Sequence, residues 1–587
     1  MPVHANQPRL SVSHRSTDSQ STRAQASPRL ESEDINHVGF LPFPLSRLFM
    51  FKTGISKYIR GIPNQPVRYF CRSHAMESKP HIGIVGSGIS GLRCADILIQ
   101  NGARVTILEA RDRIGGRVHQ NELEGHLIDL GPNWIHGTGE NPISSIAEET
   151  QTVAHDPEGK NLSISCDGKL IDEAKATKAT EAVWTIIDEA FEYSNHHCAS
   201  IPPEKSLYDF IQEKLEKTDF SEEEKKLCLD SCKLWGAYVG DSIERQSLKF
   251  FRLEECIDGN NYFVASTYRR ILQHVAARAL TQADIRFNHP VIKIDTPLRT
   301  EGDSHQHQVS VTTASGETYS FDQLVVTCPL GWLKRNTEAF NPQLPSRLLK
   351  AIDNISYGRL EKIYVKFPEA FWQNLLKENT PSSNTQDDQS TNPVFVQFLE
   401  PTYTPHPQNI EWNQECLSLA DLPSPCNHPT LLFYTYGACG TNIVNQIAGL
   451  NESSAEYKQI LTEILEPFYS KLPGYDRTSP SCKPTSILAT RWQLDPYAGN
   501  GSYCNFQVGL EAGDKDIEAL RSGVGLGFER GIWFAGEHTA PFVALGTTTG
   551  AYWSGERAAV QVCERIGLGS VGVGIARDDS LPSAGGK

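Results

Sequence analysis

The chain has 587 residues, of which 39% are hydrophobic and 21% charged, with a formal net charge of −15 at pH 7. This much apolar material excludes an intrinsically disordered protein and a small disulfide-stapled scaffold. No uninterrupted apolar stretch reaches the roughly 18 residues that a transmembrane helix needs, so no integral membrane association is expected.

Charge is distributed unevenly along the chain. Residues 1–75 contain ten basic and four acidic residues, a net charge of +6, and residues 76–587 carry the remaining −21. An acidic surface repels the phosphates of nucleic acids and attracts cations such as protonated amines. The charge therefore argues against a nucleic-acid partner and favours a cationic small molecule.

The N-terminal segment, residues 1–78, is not predicted to belong to the fold. Its stretch 36–75 holds six basic residues and no acidic one. This composition is typical of a mitochondrial presequence and also of an unstructured tail, while Met76 offers an alternative start. We predict a disordered or targeting leader at 1–78 and a polar tail at 569–587.

The fourteen cysteines include no C-x-x-C pair, and the two nearest in sequence, Cys228 and Cys232, are one helical turn apart. This spacing is typical neither of a zinc site nor of a redox motif, so no metal is expected. Reduced thiols indicate an intracellular protein, cytoplasmic in the simplest case, and the basic leader leaves mitochondria open.

A strand–helix–strand unit begins directly after Lys79. A short apolar strand (82–85) leads through a glycine turn into a helix whose apolar residues recur at helical spacing. A second strand (105–108) follows and ends at Glu109.

The glycine turn has the spacing of a dinucleotide-binding site. Gly86 permits the tight turn, Gly88 lets a pyrophosphate approach the backbone, and Gly91 lets the helix pack closely on the strand. The N-terminus of the helix supplies free N–H groups for the phosphates. Glu109 can accept both hydroxyls of an unphosphorylated ribose, so the unit predicts a dinucleotide site.

The rest of the chain predicts a helical block followed by strands. Residues 206–217 and 221–239 are predicted helices, the second opened by a capping box of Ser221 and Glu224. Four short apolar runs are predicted strands: 285–295, 307–314, 321–328 and 362–367. A polar, low-complexity surface loop is predicted at 376–393.

The stretch from Glu109 through Gly116 to Arg117 resembles the extension that follows the fingerprint in the FAD-dependent amine oxidases. Further segments similar to that family occur in the same order along the chain: 130–137 (LGPNWIHG), 324–331 (LVVTCPLG), 533–539 (WFAGEHT) and 550–555 (GAYWSG). The resemblance spans about 80–565 and is most specific for the polyamine oxidase branch, which includes spermine oxidases.

The resemblance implies an α/β (α+β) flavoprotein in which a Rossmann-like FAD-binding domain is interleaved with a substrate domain of mixed sheet and helices. The FAD domain is expected from 79–139, 250–335 and 484–568. The substrate domain is expected from 140–249 and 336–483.

The resemblance also places eighteen residues at a non-covalent FAD. In that family Arg117 neutralises the pyrophosphate and Glu537 holds FAD hydroxyls. The expected FAD-binding residues are Gly86, Ser87, Gly88, Gly91, Glu109, Ala110, Arg111, Gly116, Arg117, Gly131, Pro132, Asn133, Trp134, Val291, Gly536, Glu537, Thr547 and Thr548.

The activity implied by the resemblance is oxidation of a polyamine such as spermine, spermidine or an N-acetylated form. A hydride leaves the carbon beside a neutral amine for flavin N5, water hydrolyses the resulting imine, and O2 is reduced to hydrogen peroxide. Alignment of the C–H bond and exclusion of water should then dominate catalysis.

Lys362 is the main catalytic candidate. Strand alternation places it on one face with Tyr364 and Lys366, and by pattern alone such a face is usually solvated. The resemblance implies instead that this lysine, ahead of Phe367-Pro368, holds a water against flavin N5.

Two aromatic residues are expected to frame the substrate. Trp492 and Tyr503 lie in a segment similar to the substrate wall of the family, where shape and cation–π attraction would hold an amine. By pattern alone both would be core aromatics. Monoamine oxidases have a second aromatic at the position of Thr547 and a flavin-tethering cysteine at that of Ser502, so non-covalent FAD and a different pocket are expected.

His136 follows the segment NWI, as a histidine does in polyamine oxidases of animal type. A histidine of near-neutral pKa could bind the amine or relay a proton. The alternative is a histidine that is only hydrogen-bonded inside its loop.

Several functions stay open at this point. A histone-lysine demethylase, a monoamine oxidase or an L-amino-acid oxidase would share the fold, and the last needs an arginine for the substrate carboxylate. A catalytically inert FAD-bearing binding protein is the alternative without an activity. The preferred polyamine, the acidic residues of the channel and the choice between monomer and dimer are left undetermined.

Overall fold

The structure, a computed structural model, describes residues 79–157, 159–296, 308–373 and 392–569. The predicted leader at 1–78 and nearly all of the predicted loop at 376–393 lie outside these residues. Only the end of that loop is described, and Pro393 there already begins a strand.

The described ranges contain fourteen α-helices. These are α1 (Ile89–Gln100), α2 (Pro142–Glu149), α3 (Glu173–His197), α4 (Leu207–Leu215), α5 (Glu222–Cys232), α6 (Gly236–Val239), α7 (Arg269–Gln282), α8 (Leu330–Arg335), α9 (Ser346–Asn354), α10 (Gly437–Gln446), α11 (Ala455–Tyr469), α12 (Gly513–Ser522), α13 (Gly527–Arg530) and α14 (Thr548–Ile566).

The same ranges contain twenty-two strands. These are β1 (His81–Val85), β2 (Arg104–Leu108), β3 (Gln120–Leu123), β4 (His126–Asp129), β5 (Trp134–Ile135), β6 (Ala154–His155), β7 (Lys160–Ile164), β8 (Tyr262–Val264), β9 (Asp284–Arg286), β10 (Val291–Asp295), β11 (Val309–Thr313), β12 (Thr318–Phe321), β13 (Gln323–Val326), β14 (Phe340–Asn341), β15 (Ser356–Tyr357), β16 (Glu361–Lys366), β17 (Pro393–Phe398), β18 (Gln414–Ser418), β19 (Thr430–Thr435), β20 (Ser486–Ala489), β21 (Cys504–Asn505) and β22 (Ile532–Phe534).

A five-stranded parallel sheet in the order β22-β13-β1-β2-β9 forms the first half of the fold. Its central strand β1 is apolar and buried, as expected for a parallel sheet covered on both faces. Helices α1, α7 and α14 contribute to one apolar core with it. The predicted Rossmann-like α/β architecture is confirmed.

The turn between β1 and α1 depends on two glycines. Gly86 has φ +99°, a conformation that favours glycine. A Cβ at Gly91 would lie 2.1 Å from the carbonyl oxygen of Gly86, so only glycine lets α1 approach β1 this closely.

A six-stranded sheet in the order β20-β16-β19-β18-β17-β7 forms the second half. It is antiparallel except for the parallel pair β17–β7. The last strand of this sheet along the chain, β20, falls inside 484–568, the range predicted to belong to the FAD domain. The domain division itself stays a prediction.

Two predicted elements differ from the structure. The single strand expected at 285–295 is two strands, β9 and β10, which belong to different sheets. Residues 221–239 form α5, with the predicted capping box of Ser221 and Glu224, followed by a short 3-10 turn and α6.

Strand β16 is buried along its whole length. Ile363 and Val365 pack into the apolar core beneath the six-stranded sheet, whereas Tyr364 packs into a second core on its other face. The solvated face that the pattern alone suggested for Lys362 and Lys366 is therefore wrong, because both faces of the strand are covered.

None of the described helices is both long enough and apolar enough to cross a membrane.

Gly91→Ala should lower the free energy of unfolding by about 1 to 3 kcal/mol, because the new methyl group collides with the backbone of Gly86. Gly88→Ala is the matched control, since a Cβ there meets no described atom within 4 Å. Both variants are compared as apoproteins, because Gly88 is also expected to contact the FAD pyrophosphate. Urea unfolding of both variants measures the difference. Equal stabilities would contradict the assigned contact between α1 and β1.

Candidate active site

A cavity of about 290 Å³ extends from the carboxyl end of β1 to strand β16. Most of the residues predicted from the sequence line it. They are Gly86, Gly88, Glu109, Ala110, Arg111, Gly116, Arg117, Gly131, Pro132, Asn133, Trp134, His136, Val291, Lys362, Trp492, Tyr503, Gly536, Glu537, Thr547 and Thr548.

Ser87 and Gly91 do not line the cavity, which differs from the prediction. Ser87 is fully buried, and its backbone N–H and hydroxyl donate to Glu109 Oε2 at 2.8 and 2.7 Å. Gly91 packs on the turn itself. Both residues support the cavity wall instead of forming it.

The fingerprint end of the cavity fits a dinucleotide. Gly88 has open space where a Cβ would be, which leaves room for a phosphate against the backbone. Helix α1 begins there without a side-chain cap or an acidic residue in its first turn. Its free N–H groups and positive dipole end therefore face the cavity. Glu109 Oε1 accepts the backbone N–H of Arg111 at 2.9 Å and lines the cavity, and its contact with a ribose stays a prediction.

Arg117 and Glu537 form a buried ion pair at the middle of the cavity. Nη1 of Arg117 lies 3.0 Å from Glu537 Oε1 and also donates to the carbonyl of Ser502 at 2.6 Å. Burial opposes the charge of Arg117, but Tyr357 and Glu537 outweigh it and raise its pKa. Burial likewise opposes the charge of Glu537, and Arg117 lowers its pKa overall. The pKa shifts favour the ionised form of both groups.

Lys362 is buried at the other end of the cavity. Its Nζ donates to the Gly131 carbonyl and lies 5.9 Å from the centre of the Tyr434 ring. Burial lowers the pKa of Lys362, and the nearby charges of Asp129 and Glu361 only partly oppose this. Burial also raises the pKa of Asp129. A neutral amine at Lys362 is therefore accessible near neutral pH.

Trp492 approaches the same loop as Lys362 from another direction. Its indole Nε1 donates to the Leu130 carbonyl at 3.0 Å, beside the Gly131 carbonyl that receives Lys362. The backbone N–H groups of Trp492 and Gln493 donate to the carboxylate of Glu361 at 3.1 and 2.8 Å. Glu361 and Lys362 are neighbours in β16, so one strand positions both the lysine and the tryptophan.

Tyr503 and Tyr434 complete the aromatic walls. The hydroxyl of Tyr503 donates to the Tyr238 carbonyl. The hydroxyl of Tyr434 receives the Trp134 indole N–H at 3.2 Å and donates to Asn133 at 3.3 Å. Because these hydroxyls are engaged, ring faces and edges are left toward the cavity.

His136 lines the cavity as a neutral imidazole. Burial lowers its pKa to about 3. Within the described part of the chain, no polar atom is within hydrogen-bonding distance of its Nδ1. Asn261 forms a side-chain hydrogen bond with the ring, and Nδ1 is buried. Its low pKa does not suit it to carry a proton at neutral pH.

The positions around Tyr503 and Thr547 agree with non-covalent cofactor binding. Thr547 caps α14 by accepting the N–H of Gly550 at 2.9 Å. Ser502 lines the cavity, whereas Cys504 is buried in β21 and is not among the lining residues. The cysteine is thus displaced from the wall that faces the cofactor.

Among the lining residues that were missed in the sequence are two tyrosines and a carboxylate: Tyr238, Tyr434 and Glu415. Glu415 and Tyr434 carried no signal, because their position depends on cross-strand pairing between distant segments. Tyr238 lies in the short helix α6, and its approach to the cavity depends on tertiary packing.

The carboxylate of Glu361 accepts three hydrogen bonds, from the Thr490 hydroxyl and from the backbone N–H groups of Trp492 and Gln493. Glu361→Gln should destabilise the protein by about 1 to 3 kcal/mol, since an amide cannot accept all three. Thermal unfolding measures this. Glu452→Gln is the control, because Glu452 only pairs with Arg491 at the surface and its loss should cost at most about 0.5 kcal/mol. Equal effects of the two substitutions would contradict the positioning role of Glu361.

Comparison with known proteins agrees with this geometry. A family profile for flavin-containing amine oxidoreductases matches residues 89–563. The probable polyamine oxidase 4 of Arabidopsis thaliana is 26% identical over 502 residues, covering 83% of this chain and 87% of that protein. Lysine-specific histone demethylase 1 homolog 3 of Oryza sativa subsp. indica is 25% identical, covering 85% of this chain and 55% of its own length. A corticosteroid-binding protein of Candida albicans is 25% identical, and the match covers 82% of this chain and 96% of that protein.

The family profile spans most of the chain, and the cavity presents a dinucleotide fingerprint at one end and a buried lysine among aromatic residues at the other. The chain belongs to the flavin-containing amine oxidoreductases, and its cofactor is FAD.

Proposed function

We propose that the protein oxidises polyamines such as spermine, spermidine or their N-acetylated forms, releasing hydrogen peroxide. The observation that carries the proposal is a single cavity in which the dinucleotide end and the buried Lys362 meet among aromatic walls. The similarity to a polyamine oxidase over most of both chains supports it.

The bound FAD would supply the oxidising power, taking a hydride equivalent from the carbon beside the amine and passing electrons to O2. Arg117, Glu109 and the turn at Gly88 would hold it. The rest of the chemistry needs few acid–base groups. The orientation of the substrate C–H bond and the exclusion of water from the cavity therefore matter most. Trp492 and Tyr503 would orient the amine and exclude water.

The substrate amine must be neutral when it reacts. Aromatic, largely apolar walls disfavour an ammonium by desolvation, which lowers the pKa of an amine that enters. Burial lowers the pKa of Lys362 to about 7, so its Nζ can accept or return a proton near neutral pH at a small cost in free energy. Nζ would also position a water for hydrolysis of the imine.

Amino-acid substrates are less well supported than amines. An L-amino-acid oxidase needs an arginine to bind the carboxylate. Among the described residues, the arginines that line the cavity are Arg111 and Arg117. The first pairs with Asp495 and the second with Glu537, and both are among the residues assigned to FAD, so neither is assigned to a substrate carboxylate.

Two relatives of this chain are named for other functions, histone demethylation and corticosteroid binding. Demethylation of histone lysine is less supported, since the chain covers only 55% of the named histone demethylase. A binding protein without catalysis is favoured by the Candida relative named for corticosteroid binding. The buried Lys362 argues against it, because a cavity that only binds a steroid does not need a buried amine.

Spermine should bleach the flavin of the purified protein under anaerobic conditions, and admission of O2 should restore the colour with release of hydrogen peroxide. Absorbance spectroscopy follows both steps. The same titration with benzylamine and with a methyl-lysine peptide tests the alternatives. Flavin that no amine bleaches would support the binding protein instead.

Lys362→Met should keep FAD but lower turnover or reoxidation at least about tenfold, equivalent to about 1.4 kcal/mol in barrier height. Lys366→Met is the matched control, since Lys366 is buried in the same strand but contacts Glu124 and His126, away from the cavity. Rates are compared per mole of bound FAD by stopped-flow absorbance. Unchanged rates in Lys362→Met would remove this residue from the mechanism.

A further inference from the structure

Glu415 is a buried carboxylate in the cavity wall that the chemistry above does not use. It is 3% exposed and lies in β18. Within the described part of the chain, no lysine, arginine or histidine forms an ion pair with it. An ionised carboxylate buried without a cation is costly, so a cationic ligand would stabilise it.

The sheet register fixes how far Glu415 lies from Lys362. Lys362 is directly opposite Tyr434 across β16 and β19, and Tyr434 is directly opposite Glu415 across β19 and β18. Two interstrand steps correspond to about 10 Å. A short alkyl chain would fit between an amine near Lys362 and a second group at Glu415.

The groups around Glu415 favour a charged ligand. The Tyr238 hydroxyl donates to Glu415 Oε2 at 3.4 Å, a long hydrogen bond. Gln397 is opposite Glu415 across β17 and β18, and its Oε1 already accepts the Ser163 hydroxyl at 3.3 Å, so its NH2 group is left for the carboxylate. Tyr434 presents a ring to the same space, as a cation–π partner would.

A second cavity lies next to the two residues that hydrogen-bond to Glu415. Tyr238 and Gln397 line a second cavity of about 40 Å³ beyond the main one. The end of a longer chain could extend there, past a nitrogen held at Glu415.

We propose that Glu415 binds a second, distal ammonium group of the substrate, so that the cavity selects amines carrying at least two positive charges. This inference rests on the proposed function and specifies its substrate class. Burial raises the pKa of the unliganded Glu415 to about 7, with Gln397 and Tyr238 opposing it. A bound ammonium would restore full ionisation.

Two amines of equal length separate the second charge from the alkyl chain: 1,8-diaminooctane and octylamine. Dissociation constants are measured by tryptophan fluorescence on the anaerobic holoenzyme, with flavin absorbance recorded in parallel. The protein should bind the diamine more tightly than the monoamine. Equal affinities in the unsubstituted protein would overturn the proposal regardless of how any variant folds.

Glu415→Gln should weaken the binding of 1,8-diaminooctane at least about tenfold and leave the binding of octylamine unchanged. The substitution removes the negative charge and replaces the carboxylate with a nearly isosteric amide. Glu411→Gln is the matched control. Glu411 is a partly buried glutamate near Lys233, outside the cavity lining, and its substitution should affect neither amine. If Glu415→Gln weakens the binding of both amines equally, or weakens the binding of neither, the role of Glu415 is overturned.

The two proposals can fail separately. If no amine bleaches the flavin but Glu415→Gln still weakens only the diamine, the oxidase function fails and the cation site stands. If spermine bleaches the flavin and Glu415→Gln binds both amines like the unsubstituted protein, the oxidase function stands and the cation site fails.

Discussion

The burial of Lys362 is the constraint on which the rest of the site depends. An ammonium in an apolar interior is unstable unless something compensates for its lost hydration. Here the compensation is partial: a carbonyl at Gly131, the ring of Tyr434 and the charge of Asp129. The lysine is consequently held where its proton is weakly bound, which suits a group that must act beside a neutral amine.

The same strand explains why lysine and tryptophan occur together. Glu361 points away from Lys362 along β16 and accepts the N–H groups of the turn that carries Trp492. One strand therefore fixes two walls of the cavity, and a shift of β16 would move both. The side chain of Glu361 is fully enclosed and contacts no ligand. A substitution there would still change the geometry of the site, because this carboxylate holds the turn that carries Trp492.

The parts of this site that could be predicted from sequence are the local ones. The glycine turn and Glu109 lie within one strand–helix–strand unit, so their spacing already determines their geometry. Lys362 could not be placed by pattern, because alternation gives the face of a residue but not whether that face is covered. Its burial depends on β19 and β20, which lie far away in sequence. The positions of Glu415 and Tyr434 could not be predicted for the same reason, because both depend on pairing between strands that are distant in sequence.

Cross-strand register also accounts for how opposite charges can share one cavity. Lys362, Tyr434 and Glu415 lie in one row across three strands, so the tyrosine separates the amine from the carboxylate. If Lys362 and Glu415 were adjacent, the carboxylate would favour the ammonium form of the lysine and raise its pKa. Separated by a strand, the lysine end favours a neutral nitrogen, while the carboxylate end favours a charged one. A polyamine has both kinds of nitrogen available, because losing one proton lowers the repulsion among those that remain.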